Sequence, residues 1–304
     1  MIEQPDPALE EILAEVRRID IQARRLVTGV MAGGYLSVFR GAGIEFESVR
    51  EYEEGDDPRA VDWNVTARVG RPYIKTYVDE RELTMLFVLD LSASMQAGLG
   101  AYTPRQVAAR VCAFLGLSAV RNGDKVGLVA GGNAVDGFVA PRKGRAHALR
   151  IVRDALAIAP DGGGTDLAPL LRFATKAVRK HAIVFVLSDF LGDGWQRPLQ
   201  VCAKRHDVVA VRLMPAELEL PRLGLMRVRD PEGQGLALID TSSPRVRAAY
   251  AERVQAWQQR TERDLRKAGV DRMDVPVPMV RGGGDLAGPI LKFFRMREMR
   301  GAKR

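Results

Sequence analysis

The pattern of this 304-residue chain predicts an α/β fold: a doubly wound, mostly parallel sheet of the Rossmann type, with an N-terminal helix and β-segment attached. Three observations carry that prediction. From Thr84 onward, strand-length apolar runs alternate with helix-patterned stretches, the order of a parallel sheet covered by helices on both faces. The runs Thr84 to Leu89 and Ala182 to Leu187 are apolar almost throughout, as strands buried on both faces are. Each run then ends in polar residues, Asp90 in one case and Ser188-Asp189 in the other, at the strand ends where open α/β sheets hold their ligands.

The elements follow in order. The first 32 or so residues read as one amphipathic helix, with Leu9, Ile12, Leu13, Val16, Ile19 and Ile21 at roughly helical spacing and a Gly33-Gly34 stop. Such a helix is a packing element or a docking arm. Tyr35 to Tyr77 reads as strand and turn, rich in charge and punctuated by Gly41, Gly43, Gly55, Pro58 and Gly70. After the strand ending at Asp90, a helix is expected from Pro104, with Thr103 as N-cap and Asn122-Gly123 as stop. A strand at 125–130, an edge strand near 137–140 and a helix over 145–158 come next. A glycine-rich turn, Asp161-Gly162-Gly163-Gly164-Thr165, leads into a helix over 167–180. Strands follow at 182–187 and 207–213, then a hairpin of 225–229 and 236–239 around an Asp230-Pro231-Glu232-Gly233 turn. A long polar helix at 244–268, a last strand at 271–277 and a helix from about Asp285 complete the chain. The division expected is 1–80 for the helix and charged β-segment, and 81–304 for the sheet domain.

Composition narrows the function classes. A hydrophobic content of 46% is that of an ordinary globular protein. Cys112 and Cys202 lie far apart in apolar, helix-patterned stretches, which points to reduced core thiols and a cytoplasmic location. No run reaches the roughly 18 apolar residues that cross a bilayer, so no membrane span is expected. The formal charge of +8 is spread along the chain, with modest clusters at 142–145 and 295–304 and no aromatic-interleaved basic stripe. That argues against nucleic acid as partner and for a solvated basic surface or an acidic protein partner.

Chemistry concentrates at three chain segments: Asp90-x-Ser92-x-Ser94, Thr165 in the glycine-rich turn, and Asp189. Two serine hydroxyls and a threonine hydroxyl offer neutral oxygen ligands, and the two aspartates offer a direct position or a hold on metal-bound water. That donor set suits Mg²⁺ or Mn²⁺, hard cations that keep several waters. Neutral hydroxyl ligands would leave the ion electrophilic, with a corner open to a carboxylate from another protein. Glycines at 162–164 suit a backbone that passes close to an ion.

These segments, Thr84 to Met95, Gly163 to Leu170 and Val184 to Phe190, resemble the metal-ion-dependent adhesion site of von Willebrand factor A domains. The resemblance implies that Ser92, Ser94 and Thr165 coordinate a divalent cation, with Asp90 and Asp189 in supporting, largely water-mediated roles. It also implies that the hairpin and polar helix at about 224–268 are an insertion relative to the minimal domain. The preceding segment, Gly43 to Tyr52, Gly55-Asp56-Asp57-Pro58-Arg59, Asp62-Trp63, Thr66-Ala67-Arg68 and Lys75, is similar to the signature of domain-of-unknown-function family 58. Members join such a segment to an A-type domain and are typically associated with MoxR-type AAA+ ATPases. The resemblance therefore implies a non-enzymatic adaptor or cofactor in chaperone-like maturation of protein complexes, engaging the ATPase or its client through an acidic residue.

Other readings stand beside these. The 45–68 segment is either a set of ion pairs, Arg50, Arg59 and Arg68 against Glu45, Asp56, Asp57 and Asp62, clamping it to the main sheet, or a docking face anchored by Tyr52 and Trp63. Asp56-Asp57 reads as a turn. A metal-dependent phosphoryl-transfer hydrolase using Asp90 would need an acid/base partner, and the motif lacks a second aspartate two residues on. A structural scaffold with an empty metal site is the remaining alternative. His147, His181 and His206 are read as surface or helix-end residues, apart from any nucleophile motif, and no phosphate-binding loop is present.

Overall fold

The computed structural model describes residues 14, 17–18, 20–21, 45–53, 55–78, 82–159, 166–229, 235–280 and 287–301. Residues 14, 17, 18, 20 and 21 are helical. Asp20 is buried and accepts a hydrogen bond from Arg145 Nη2 at 2.6 Å, so this part of the N-terminal helix packs on the domain that follows. The Gly33-Gly34 stop lies outside the described residues.

Strand β1 (Glu45–Glu51) pairs antiparallel with β2 (Tyr73–Val78), and helix α1 (Trp63–Val69) lies between them. The helix corrects the expectation of strand and turn throughout 35–77. Asp62 caps it by accepting from the N–H groups of Asn64 and Val65, and Gly70 ends it at φ 77°, where a side chain would be strained. Two strong local signals outweigh the weak helix propensity of a short segment containing Trp63, Val65 and Thr66. Asp56 accepts a bidentate pair from Arg50, at 2.8 and 2.6 Å, together with the N–H of Glu53, while Asp57 accepts from Arg59 N. These bonds make Asp56-Asp57 a turn. They also close inside the segment, as does Arg71–Glu51, instead of clamping it to the main sheet.

The main sheet begins with β3 (Thr84–Asp90) and continues through the short helix α2 (Ala93–Gln96), helix α3 (Pro104–Arg121) and β4 (Lys125–Gly131). Thr103 and Gln106 form a reciprocal capping box at the start of α3, and Pro104 occupies the first helical position, where its missing N–H costs nothing. Next come β5 (Gly137–Arg142), α4 (Arg145–Ala157), α5 (Leu167–Ala177), β6 (Ile183–Ser188), α6 (Gln196–Ala203) and β7 (Asp207–Met214). Helix α5 ends three residues before the expected Lys180, because Val178 turns extended. Helix α6 is an addition to the elements expected from sequence: only Leu199 and Cys202 mark its buried face, too few to show a period. The hairpin β8 (Leu225–Arg229) and β9 (Leu236–Asp240), the long helix α7 (Pro244–Lys267), β10 (Asp271–Pro276) and α8 (Ala287–Gly301) complete the chain.

The sheet order is β10-β7-β6-β3-β4-β5, with every pair parallel except β4–β5. Counted along the chain this is the 3-2-1-4-5-6 order of a doubly wound fold, and the winding reverses between β3 and β6. Side chains of alternating residues face opposite ways. Phe87, Leu89, Leu187 and Val211 face α3, α4 and α8; Leu86, Val88, Val186 and Ala210 face α5, α6 and the last turns of α7. Phe87 and Phe185 meet at a centroid distance of 6.0 Å, both fully buried, and burial of a side chain of that size contributes about 1.5–3 kcal/mol. A parallel β7–β10 pair needs a crossover. Helix α7 supplies it, with Leu265 and the following Ala268 in the core, while no described residue of β8 or β9 belongs to either core.

Candidate metal centre

Asp90 ends β3 at the point where the winding reverses, and Ser188 ends the neighbouring strand in the same layer, one residue beyond the Leu89–Leu187 pair. Register alone therefore sets Ser188 beside Asp90. The Ser188 hydroxyl donates to Asp90 Oδ2 at 2.5 Å and accepts the N–H of Phe190 at 2.9 Å. On the other side, the N–H of Ser92 donates to Asp90 Oδ1 at 2.9 Å. This turns the chain so that the Ser92 and Ser94 hydroxyls come within 3.1 Å of one another. Ser92 is the N-cap of α2, but its hydroxyl makes no capping bond, so it stays turned to Ser94.

Asp189 is fixed by the N–H of Leu191, which donates to its Oδ1 at 3.0 Å. Its charge reaches Asp90. Burial first, and then the neighbouring Asp189 carboxylate, push the Asp90 carboxyl up to about 6, against the opposing hydrogen bonds from Ser188 and Ser92. Asp90, Ser92, Ser188 and Asp189 are almost wholly buried, and Ser94, at 9% exposure, is the most accessible of the group. Four of the five positions read from the sequence, Asp90, Ser92, Ser94 and Asp189, thus gather at one end of β3 and β6. Thr165 lies outside the described residues, with Gly162 to Gly164; Asp166, next in the chain, caps α5 by accepting from Ala168 N.

The donor chemistry fits a hard divalent cation. Every candidate ligand is oxygen, and two carboxylates in each other's field are the arrangement that a cation relieves. Among the described residues no cluster of three or more His, Cys, Asp and Glu side chains forms, so a cation held here would need the serine hydroxyls as ligands. The residues that sequence reasoning missed are Ser188, which braces Asp90, and Gly131. Gly131 pairs with Asp90, its carbonyl accepts the N–H of Leu91, and a Cβ there would stand 1.9 Å from the Ala134 carbonyl oxygen. Ser188 was visible only as the polar end of a strand.

Over residues 48–261 the sequence matches the family described as "Protein of unknown function DUF58". The chain belongs to that family. An uncharacterized protein of Mycobacterium tuberculosis is 30% identical over 296 residues, 96% of this chain and 91% of the relative. Among solved structures, an aerotolerance-related membrane protein from Bacteroides fragilis is similar over 72% of this chain and 99% of its own, at 13% identity and a TM-score of 0.46. A von Willebrand factor type A protein from Catenulispora acidiphila is similar over 74% and 43% of the two chains, at 13% identity and a TM-score of 0.35.

This DUF58 chain holds the loop after Asp189 in an unusual conformation. Phe190 has a left-handed φ of 58°, its ring packs edge-on against Trp195 at 5.2 Å, and its carbonyl accepts the indole N–H of Trp257 on α7 at 3.3 Å. Arg212, level with Ser188 on β7, forms a bidentate pair with Asp274 and lies 5.6 Å from the Trp257 ring. The three histidines are remote from this edge. His147 Nε2 pairs with the carbonyl of Val126 near the start of β4, and His181 and His206 precede the first residues of β6 and β7. Of the two readings, His206 fits the helix end and not the surface: its N–H donates to the Cys202 carbonyl in the last turn of α6, it is buried, and burial lowers its pKa. Both cysteines are free and buried. Among the described residues no helix is long and apolar enough to cross a membrane.

Proposed function

We propose that this DUF58 protein is a non-enzymatic, metal-dependent protein–protein interaction module. Asp90, Ser92, Ser94 and Asp189, with Thr165 as the resemblance to A-type domains implies, would hold Mg²⁺ or Mn²⁺. The ion would supply an electrophilic position for a carboxylate of a partner protein. The observation that carries this reading is the gathering of two coupled carboxylates and the paired Ser92 and Ser94 hydroxyls at the switch point of the sheet, where such folds bind ligands. The distance of all three histidines from that edge favours binding over acid–base chemistry. The partner proposed is a MoxR-type AAA+ ATPase or its client, and the role that of an adaptor in chaperone-like maturation of protein complexes.

Thermal unfolding with and without millimolar MgCl₂ or MnCl₂ tests the metal. At one hundred times Kd a ligand stabilises by about 2.7 kcal/mol, a rise of roughly 5–10 °C for a domain of this size. The Ser92→Ala, Ser94→Ala double variant should fold and lose that rise. A rise equal in the two proteins would refute the site. Mg²⁺-dependent capture of the purified ATPase, lost in the same variant, tests the partner, and turnover of generic phosphate esters would point to a hydrolase instead.

A further inference from the structure

The C-terminal edge of the sheet carries a second feature beside the metal centre. A groove of about 480 Å³ opens between α7 and the loops that leave β7 and β10, lined by Met214, Leu218, Val254, Val277 and Met279, with Glu219 exposed on its rim. Methionine side chains adapt to aliphatic groups of varied shape.

The chain that leaves the metal loop is hydrogen-bonded to the loops that border the groove. Residues 97–103, which leave the helix carrying Ser94, are held against the groove's walls: the Glu217 carboxylate accepts the N–H of Leu99, and the N–H of Ala101 donates to the carbonyls of Pro278 and Met279 at 3.2 and 3.1 Å. Gly100 makes the approach possible, since a Cβ there would stand 2.8 Å from the Pro278 carbonyl oxygen. The offset follows from the register. Met214 lies two strands from Asp90 and two residues beyond the layer shared by Asp90, Ser188 and Arg212. At about 4.8 Å between strands and 3.3 Å per residue, that is roughly 12 Å, or about four residues of extended chain.

We infer that this groove takes an aliphatic side chain of the same partner segment whose acidic residue reaches the metal, about four positions away along that segment. The inference rests on the metal-dependent reading above. Charge and polarity fix the occupant's pattern: a carboxylate for the cation, an aliphatic residue for the apolar lining of the groove, and a basic residue beside it for Glu219.

The test uses the full chain with ¹³C-methyl methionine, the Met214 and Met279 signals being assigned with Met214→Leu and Met279→Leu. The probe is a labelled synthetic peptide with an aspartate and, four positions on, a leucine followed by a lysine. In millimolar MgCl₂ the peptide should shift both methyl signals. Affinity should fall about tenfold when its leucine is replaced by glycine, or when Val254→Asp is introduced in the protein, the effect of losing one buried aliphatic side chain. Mg²⁺-dependent binding that leaves both methyls unmoved, or that ignores the leucine, overturns the groove assignment while the metal reading stands. Shifts that persist in EDTA and with asparagine in place of the peptide's aspartate overturn the spanning mode, while the metal reading is decided by the Mg²⁺-dependent stabilisation described above. Shifts that follow protein concentration alone give the groove to a second copy of the chain and overturn the proposal, as does failure of the peptide to bind.

Discussion

Ser188 is the residue on which the geometry of Asp90 turns, and Ser188→Ala removes its brace with little change in volume. Two interactions are lost at once: the hydroxyl's bond to a buried carboxylate at 2.5 Å, and the bond it accepts from Phe190 N at 2.9 Å. A hydrogen bond to a charged group contributes about 1.5–3 kcal/mol and one between neutral groups about 1. Both former partners stay buried, so water offsets little, and the expected loss is about 3 kcal/mol. Urea denaturation at neutral pH, in EDTA, reads it as a lower midpoint with an unchanged slope. Titration with Mg²⁺ gives a second reading. A group that orients a metal-holding carboxylate typically changes affinity 10–100-fold, so the variant should bind the ion at least about tenfold more weakly. Stability within about 0.5 kcal/mol of wild type, with unchanged Mg²⁺ affinity, would refute the idea that Ser188 positions Asp90.

Asp124, buried at the turn before β4, accepts the N–H of Leu83 at 3.0 Å, and burial pushes its carboxyl up to about 6. The folded state therefore holds a proton between about pH 4 and 6 that the unfolded chain has released, and stability falls as pH rises through that window. Asp124→Asn should remove this loss, raising stability at pH 7.5 by on the order of 1–3 kcal/mol relative to the effect at pH 4, measured by urea midpoints; a pH-independent difference would count against it. Gly131→Ala should cost about 3 kcal/mol or more, because the clash is with the Ala134 backbone and not a movable side chain. A near-native melting temperature for that variant would show that the 131–136 turn yields easily.

Much of the sheet is legible in the sequence because its strands are continuous apolar runs, and their polar ends at Asp90 and Asp189 mark the site. The boundaries of α3 were equally plain, since Thr103, Pro104 and Gly123 are local signals. What escaped lacked a readable period, carried cues shared with turns, or depended on contacts between distant segments. Helix α6 buries two residues and leaves no period to read. Helix α1 owes its existence to Asp62 and Gly70, which look like turn residues in isolation. The brace at Ser188 exists only once β3 and β6 are in register, and the groove at Met214 and Met279 only once α7 crosses over β7 and β10. Trp63 was singled out as an anchor, and at 73% exposure it stands open on the family segment.

Phe190 is caught between two demands. Its backbone sits where glycine is at ease and an L-residue pays about 1–2 kcal/mol, while its ring fills a slot against Trp195 that glycine would leave empty. No single replacement answers both. Divergence at this position is thus expected to arrive as compensated exchanges involving Trp195 or Trp257, and a lineage that has altered one of the three aromatics alone would carry a less firmly packed loop immediately downstream of Asp189.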